Sequence, residues 1–199
     1  MPIFNSNAES KHLGRQIGEF SIELIKVVVI SLAIIIPVRY YLIQPFYVKG
    51  ASMEPNFYDS EYLIVNEISY HFENPARGEI VVFKYPKDPS QFFIKRVIGL
   101  PGETIEVKNG NVTVINEEHP DGVLLDESAY LPSGHATSGD IYMHLEDDEY
   151  FLLGDNRPSS LDSRIFGPVK NIFIVGKVWV RGWPLDKIGV FRDPLYNSQ

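Results

Sequence analysis

The sequence contains no cysteine. Disulfide bonds, thiolate metal sites and a cysteine nucleophile are therefore excluded. Positive charge is also scarce, because 18 lysines and arginines stand against 26 aspartates and glutamates. Nucleic acid is a poor partner for such a chain, since phosphate binding requires clustered cations. The five histidines include no metal-spaced HExxH pair, so we expect neither a metal nor another cofactor.

The longest apolar run, VVVISLAIII, spans residues 27–36. A helix of about 22 residues around this run would be about 33 Å long, enough to cross a hydrocarbon core of about 30 Å. No small residues typical of a signal-peptide cleavage site follow the run, while its shortness is also compatible with a buried core helix. We expect a retained transmembrane anchor over 20–44, with residues 1–19 in the cytoplasm. Positive charges weakly favour this orientation: Lys11, Arg15 and Lys26.

Beyond residue 45 the pattern is typical of β-structure. Alternation on both sides of Asn109 and Gly110 predicts a hairpin with a primed turn. Residues 116–140 are rich in Gly, Ser, Pro and Asp, which predicts a long surface loop or insertion. The fold class is therefore mostly β, with a coiled-strand domain over 45–199. Short β-branched and aromatic runs predict its other strands: FYVKG, EYLIVNEISY, EIVVFKY, QFFIKRVIG, DEYFLLGD and NIFIVGKVWVRGW.

Two residues are candidates for nucleophilic chemistry. Ser52 lies just beyond the apolar segment, in KGASMEP, and a serine hydroxyl needs a base within hydrogen-bond reach to act as more than a turn residue. Lys95 lies inside the run FFIKRVIG, where Lys95 and Arg96 face opposite sides of a strand. If Lys95 faces inward, desolvation lowers its pKa and its neutral amine can accept the serine proton. The alternative is an edge-strand lysine that extends into solvent.

The stretch GDNRPSSLDSR, residues 154–164, is dense in hydrogen-bonding groups. Its composition is typical of a surface turn. Its charges, together with Arg96, also allow two ion pairs that would brace neighbouring strands. A serine in this stretch, Ser160 or Ser163, could hold a lysine amine in place.

The histidines and the acidic stretch 146–149 are weaker candidates. A Ser-His-Asp triad is compatible with the sequence, because triads occur in any chain order. The polar contexts of the histidines nevertheless favour solvated side chains, and the acidic stretch favours a solvated turn over a calcium site.

Taken together, these stretches resemble the type I signal peptidase family, membrane-anchored Ser-Lys endopeptidases that remove signal peptides from exported proteins. The resemblance covers about residues 20–190 and keeps the order anchor, ASMEP, FFIKRVIGLPGE, GDNRPSSLDSR and FGPV. It implies a single-pass protein of the bacterial cytoplasmic membrane, with residues 45–199 as an extracytoplasmic catalytic domain. Its expected partners are the signal peptides of secreted preproteins and the lipid bilayer.

The resemblance also implies roles for individual residues. Ser52 matches the nucleophile, Lys95 the general base, and Ser160 the serine that orients the lysine amine. The oxyanion hole would use the Ser52 backbone N–H, and Gly50 occupies the position where some members carry a second donor, a serine hydroxyl. Two structural ion pairs are implied as well: Arg96 with Asp155, and Asp162 with Arg164.

The family binds the segment before the cleavage site as an extended strand, between the strand leading to the serine and the strand carrying the lysine. Shallow apolar walls that admit alanine and exclude larger side chains would explain a preference for Ala-x-Ala sites. The candidates for these walls are Val48, Met53, Phe57, Phe93 and Ile94.

Two other functions compete with this interpretation. One is a related Ser-Lys peptidase for conjugation or pilus processing. The other is a catalytically inactive, membrane-anchored β domain that binds partners, which the joint presence of Ser52, Lys95 and Ser160 disfavours. Self-cleaving repressors carry a similar serine-lysine arrangement, but they begin with a DNA-binding helix-turn-helix and not with a membrane-like segment.

Overall fold

The computed structural model describes residues 6–41, 43–191 and 194, and the side chains of 18–36, 45–191 and 194. It divides the chain into two compact units, Met1–Leu42 and Ile43–Gln199. Parts of all three expected segments lie outside the described residues: 1–5 of the cytoplasmic segment, 42 of the anchor, and 192, 193 and 195–199 of the catalytic domain. The side chains of Lys11 and Arg15, on which the charge argument partly depends, also lie outside them.

The first unit contains one long helix, α1 (Ser6–Tyr41). The helix expected over 20–44 therefore begins earlier and ends earlier than predicted, because residues 43 and 44 pair with Asn66 and Val65 in a sheet. Within the described part of the chain, no helix combines the length and the apolar character that crossing a bilayer requires.

The second unit is mostly β, as predicted from its strand-like runs. Its described strands form two antiparallel sheets, one with the order β1-β2-β11-β3-β4-β9-β10 and with β12 on β11, the other with the order β7-β6-β5-β8. In chain order the strands are β1 (Ile43–Tyr47), β2 (Tyr62–Asn66), β3 (Ile80–Tyr85), β4 (Asp88–Gly99), β5 (Thr104–Lys108), β6 (Asn111–Ile115), β7 (Val123–Leu124), β8 (Ile141–His144), β9 (Glu149–Leu153), β10 (Val169–Lys170), β11 (Ile174–Trp183) and β12 (Gly189–Val190).

The predicted hairpin is confirmed: Asn109 and Gly110 both have positive φ, 52° and 85°, between β5 and β6, as a primed turn requires.

Short helical segments interrupt the loops of this unit. The helical segments are α2 (Ser163–Phe166) and 3-10 turns at Ser69–His71, Arg157–Ser159, Asn171–Phe173 and Leu185–Lys187.

Alternation along β4 divides its side chains between two clusters of the core. Ile94 packs with Val48 and Leu63, whereas Phe93 packs against a second cluster that contains Val81 and Phe83. This alternation follows from the pleat, which sends successive side chains to opposite faces. Consecutive residues of β4 therefore reach different environments.

Residues 116–140 are more buried than their composition predicts. Leu125, Tyr130 and Leu131 belong to the core cluster of the smaller sheet, and Thr137 is buried beside Arg157. The segment is loop-rich, but scattered apolar side chains fasten it to the domain. The segment is thus a loop-rich insertion with a few buried side chains, and most of its residues lie at the surface.

Candidate active site

The segment that carries Ser52 leaves β1 and turns sharply at Gly50. Hydrogen bonds from the Val48 N–H to the Glu61 carbonyl (2.8 Å) and from the Ser60 N–H to the Val48 carbonyl (3.0 Å) extend the β1-β2 pairing up to the turn. Gly50 then adopts φ = 90°, a left-handed conformation that favours glycine. Ser52 therefore emerges from a turn anchored on the sheet.

The structure brings Ser52 and Lys95 together. Lys95 Nζ lies 2.7 Å from Ser52 Oγ and 2.9 Å from the Ile94 carbonyl oxygen. Lys95 lies opposite Val81 in β3, and it is only 3% exposed. The alternative of a solvated edge lysine is therefore wrong.

The environment of Lys95 favours a neutral amine. Burial lowers its pKa from 10.5 to about 8, and the negative charges of Asp162 and Asp155 oppose only part of this effect. Desolvation dominates because the amine is removed from water, while neither carboxylate contacts it directly: both are engaged by arginines. The lysine is thus poised to exchange a proton near neutral to mildly alkaline pH.

Two arginine–carboxylate pairs brace the site, at the positions expected for them. Arg96 binds Asp155 through two hydrogen bonds of 2.8 and 2.7 Å, and Arg164 binds Asp162 through two of 2.8 Å. Asp162 also accepts a hydrogen bond from the Gly154 N–H at 3.1 Å. Such bidentate pairs fix geometry as well as charge, so the loop over 154–164 is held rigidly beside Ser52.

Ser160 is a buried residue of this loop. Its hydroxyl makes no hydrogen bond within the described residues, so it does not hold the Lys95 amine in this conformation. A Cβ added to Gly154 would lie 2.1 Å from Ser160 Oγ and 2.5 Å from the Ser52 carbonyl oxygen. The Ser160 hydroxyl and the Ser52 carbonyl oxygen therefore both pack closely against Gly154.

An open cleft of about 730 Å³ lies between the end of β1 and the exposed part of β4. In the described structure β1 pairs only with β2, and residues 92–94 of β4 pair only with β3, so both strands present a free edge. The rings of Phe46 and Phe92 meet with their centroids 5.4 Å apart. The cleft extends from this aromatic pair to Ser52 and Lys95.

Of the five residues predicted to form apolar walls, three line this cleft: Val48, Phe93 and Ile94. Met53 and Phe57 do not, because they are buried in the core. A tight turn after Ser52, closed by a hydrogen bond from the Phe57 N–H to the Met53 carbonyl (2.9 Å), folds both side chains into the core.

The backbone donors around Ser52 differ in availability. No described hydrogen bond uses the Ser52 N–H. The Gly50 N–H, by contrast, donates to Asp59 Oδ1 at 2.7 Å, and this bond, with one from the Ser60 hydroxyl, holds the pKa of the Asp59 carboxyl below its usual range. Gly50 therefore supplies neither a hydroxyl nor a free N–H as a second donor.

Sequence reasoning missed Asn156. Its side-chain Nδ2 donates to the Ala51 carbonyl and its backbone N–H donates to the Ser52 carbonyl, both at 3.0 Å. The residue lay within the stretch GDNRPSSLDSR, but composition alone does not reveal a partner more than 100 positions away.

The contacts of the described residues do not favour the two other sites considered from the sequence, a Ser-His-Asp triad and a calcium site. The described side-chain hydrogen bond of Ser52 involves Lys95 and not a histidine. Carboxylates of Glu146, Asp148 and Glu149 lie within 4.8 Å of one another, but Lys170 Nζ approaches Asp148 Oδ1 to 2.9 Å. The charge of this exposed turn is thus partly compensated by a lysine.

The chain is similar to known signal peptidases over most of its length. Residues 21–183 match the family described as signal peptidase, peptidase S26. Probable signal peptidase I-2 of Synechocystis sp. is 36% identical over 177 residues, covering 86% of this chain and 78% of that protein. Signal peptidase I P of Bacillus subtilis subsp. natto is 35% identical over 170 residues, covering 84% and 91%.

A crystal structure of a signal peptidase I from Enterococcus faecalis V583 is 31% identical with a TM-score of 0.44, covering 53% of this chain and 97% of that chain. The family match spans well over half of the sequence, and both relatives exceed 30% identity over more than two thirds of it. The chain therefore belongs to the signal peptidase family, peptidase S26.

Proposed function

We propose that this protein is a signal peptidase I, a serine endopeptidase that removes signal peptides from exported preproteins at Ala-x-Ala sites. The observation that carries the proposal is the 2.7 Å contact between Ser52 Oγ and the buried Lys95 amine. An amine with a pKa of about 8 can accept a proton from a serine at physiological pH, as histidine does in other serine peptidases.

Ser52 Oγ attacks the carbonyl carbon of the residue before the scissile bond while its proton passes to Lys95. The carbonyl oxygen becomes an anion, which the free Ser52 N–H is available to stabilise. The Lys95 ammonium then gives its proton to the leaving amine, and the C–N bond breaks. Water hydrolyses the resulting ester with Lys95 again acting as the base, and Ser52 is regenerated.

Ser160 orients the Lys95 amine in this proposal. The support for this role is a buried hydroxyl without a hydrogen-bond partner in the described structure. A buried hydroxyl left unpaired costs about 1–3 kcal/mol. Engagement with the Lys95 amine during the reaction would remove this cost.

The preprotein binds as an extended strand in the cleft between β1 and β4. The two free edges offer main-chain hydrogen bonds, and alternate side chains of the added strand enter pockets. Val48, Phe93 and Ile94 form the apolar walls close to the scissile bond. These walls supply the preference for small side chains such as alanine.

Residues 20–41, the apolar part of α1, anchor the enzyme in the bacterial cytoplasmic membrane with a single pass, and the second unit, whose first strand begins at Ile43, lies on the extracytoplasmic side. The support lies in α1, where the large apolar side chains from Phe20 to Ile36 are 48–68% exposed. A continuous apolar surface of this kind is unfavourable in water. Anchoring also raises the effective concentration of the enzyme near substrates that are themselves in the membrane.

The test is cleavage of a preprotein with an Ala-x-Ala site by the full chain in detergent or liposomes. Wild type is expected to release the signal peptide, whereas Ser52→Ala and Lys95→Met should each lose activity by at least about 10³-fold. Lys108→Met and Ser128→Ala, which alter exposed residues of other elements, serve as matched controls and should cleave normally. Full activity in a folded Ser52→Ala or Lys95→Met variant would refute the proposal, and binding without cleavage by wild type would favour a non-catalytic domain.

A further inference from the structure

Asn156 contacts the main chain on both sides of the Ser52 α-carbon. Its Nδ2 donates to the Ala51 carbonyl oxygen and its backbone N–H to the Ser52 carbonyl oxygen, each at 3.0 Å. The preceding residue, Asp155, is completely buried and held by two hydrogen bonds from Arg96. Asn156 therefore extends from a fixed point in the loop to the nucleophile turn.

The hydrogen bond from Asn156 to the Ala51 carbonyl controls the direction of the Ser52 N–H. The Ala51 carbonyl and the Ser52 N–H belong to one planar trans peptide, so they point in opposite directions. When Asn156 holds the carbonyl on the side of the 154–164 loop, the Ser52 N–H must point the other way. The same N–H has no partner among the described residues.

The direction of the Ser52 N–H is especially important for oxyanion stabilisation in this chain because of the residue at position 50. Gly50 has no side chain to donate a second hydrogen bond, and its own N–H is engaged by Asp59. Stabilisation of the oxyanion therefore depends strongly on the aim of the Ser52 N–H. A donor contributes to catalysis only when it points at the position that the oxyanion will occupy.

We propose that Asn156 is a positioning residue that aims the Ser52 N–H at the oxyanion formed during acyl transfer. The inference rests on the proposed function and concerns the same site. Asn156 acts through the Ala51–Ser52 peptide and touches neither the substrate nor the reacting hydroxyl. Its side-chain donor is the essential feature.

The test compares Asn156→Ala with Asn156→Asp, which keeps the size of the side chain but replaces the donor with an acceptor. In steady-state cleavage of an Ala-x-Ala preprotein, kcat should fall by about 10–100-fold while KM changes by less than about twofold, since the misaimed donor acts in the transition state. The acid limb of the pH profile of Asn156→Ala should stay where it is in wild type, because Lys95 is not affected.

A peptide aldehyde ending in Ala-x-alaninal gives a second readout. Ser52 Oγ adds to the aldehyde carbon, the hydroxyl proton passes to Lys95, and the aldehyde oxygen becomes an anion at the oxyanion position. The matching peptide alcohol cannot form this adduct. In Asn156→Ala the Kd of the aldehyde should rise by about 10–100-fold, whereas the Kd of the alcohol should stay within about twofold.

Asn116→Ala is the matched control, because the Asn116 amide also donates to a side-chain partner, Glu103, at 3.0 Å. Asn116 follows β6 of the smaller sheet and makes no described contact with Ser52, so this variant should leave the aldehyde-to-alcohol affinity ratio unchanged. An unchanged ratio in folded Asn156→Ala, or loss of folding in both Asn156 variants, would overturn the positioning role. A wild type that neither cleaves the preprotein nor prefers the aldehyde would instead refute the proposed function on which this role depends.

Discussion

Lys95 is the residue whose environment departs most from what its chemistry prefers. Lysine is rarely buried without a paired carboxylate, yet this side chain is 3% exposed, and the nearest acidic groups bind arginines instead. The domain thereby keeps an amine that loses its proton near pH 8, well below the usual range of lysine. Two consequences are measurable, one in catalysis and one in stability.

The catalytic consequence is a dependence of rate on pH. Only the neutral amine accepts the Ser52 proton, so kcat/KM should be half-maximal near pH 8, the pKa of Lys95, and should fall about tenfold per pH unit below it. Cleavage of a synthetic Ala-x-Ala peptide between pH 6 and 10 measures this profile. An inflection near pH 6.5 would indicate a histidine base, and a flat profile from pH 6.5 to 8.5 would contradict the assignment of Lys95.

The stability consequence follows from the same lowered pKa. Below pH 8 the amine is protonated in both states, and burying its charge costs about 3 kcal/mol relative to the unfolded chain. Between pH 8 and 10.5 the unfolded state binds more protons, so the free energy of unfolding rises with pH. Above that range both states are neutral and the cost is gone.

We therefore expect Lys95→Met to be more stable than wild type by about 1–3 kcal/mol at pH 7. The difference should shrink towards pH 10.5. Urea unfolding of both proteins at pH 7 and 10 tests this, with Lys108→Met as the exposed control. A Lys95→Met variant that is less stable than wild type at pH 7 would show that the charged amine is well accommodated.

At the scale of elements, the loop over 154–164 is packed so closely on the nucleophile turn that Gly154 has no room for a side chain. An added Cβ would meet Ser160 Oγ at 2.1 Å and the Ser52 carbonyl oxygen at 2.5 Å. The Ser52 carbonyl oxygen belongs to the backbone, so it moves only if Ser52 itself moves. Gly154→Ala should therefore lower kcat by at least about 100-fold and destabilise the domain by about 1–3 kcal/mol through overpacking.

Gly182→Ala provides the comparison for this substitution. Gly182 lies in β11, and a Cβ there would meet its nearest atoms at 3.8–3.9 Å, an ordinary contact distance. This variant should keep wild-type kcat and stability in the same cleavage and unfolding assays. Equal kcat values for both variants would show that the loop can move away from Ser52 without loss of function.

Elements with strong local patterns could be predicted from the sequence, and those that depend on distant partners could not. Asn109 and Gly110 specify their turn by their own backbone preferences, and the apolar run around Lys95 specifies β4. The fate of Met53 and Phe57 depends instead on a turn that folds them into the core. Nothing in the residues around them distinguishes that outcome from a cleft wall.

The serine-lysine contact and the two ion pairs beside it could also be anticipated, but from the resemblance of several ordered motifs and not from either residue alone. A serine in KGASMEP or a lysine in a strand has an ordinary structural explanation when it is considered by itself. Asn156 and Asp59 are ordinary turn residues in the sequence, and their roles follow from partners that folding brings close. Hydrogen bonds across a fold depend on three-dimensional position, which composition does not record.

At the scale of the whole molecule, the membrane topology is still a prediction, and the absence of cysteine makes it simple to test. Ser6→Cys and Ser128→Cys each introduce one thiol, the first before the proposed anchor in the sequence and the second after it. In intact bacterial spheroplasts a membrane-impermeant maleimide should label Ser128→Cys, because residues 45–199 are proposed to face outward. Ser6→Cys should be labelled only after lysis.

Wild type serves as the control for this experiment, since it offers no thiol to the reagent. Labelling of Ser6→Cys but not Ser128→Cys before lysis would reverse the proposed orientation. Labelling of both, together with release of the protein by alkaline carbonate, would contradict a membrane-spanning anchor.

Arg157 gives the segment over 116–140 an importance that its composition conceals. Arg157 is 1% exposed and its guanidinium binds Glu127 and Thr137, while its backbone adjoins Asn156 in the loop over 154–164. The segment is thus connected through Arg157 to the loop that contacts Ser52. Deleting residues 116–140 to obtain a minimal domain would leave the buried Arg157 guanidinium without its carboxylate partner. The chain must therefore be shortened elsewhere.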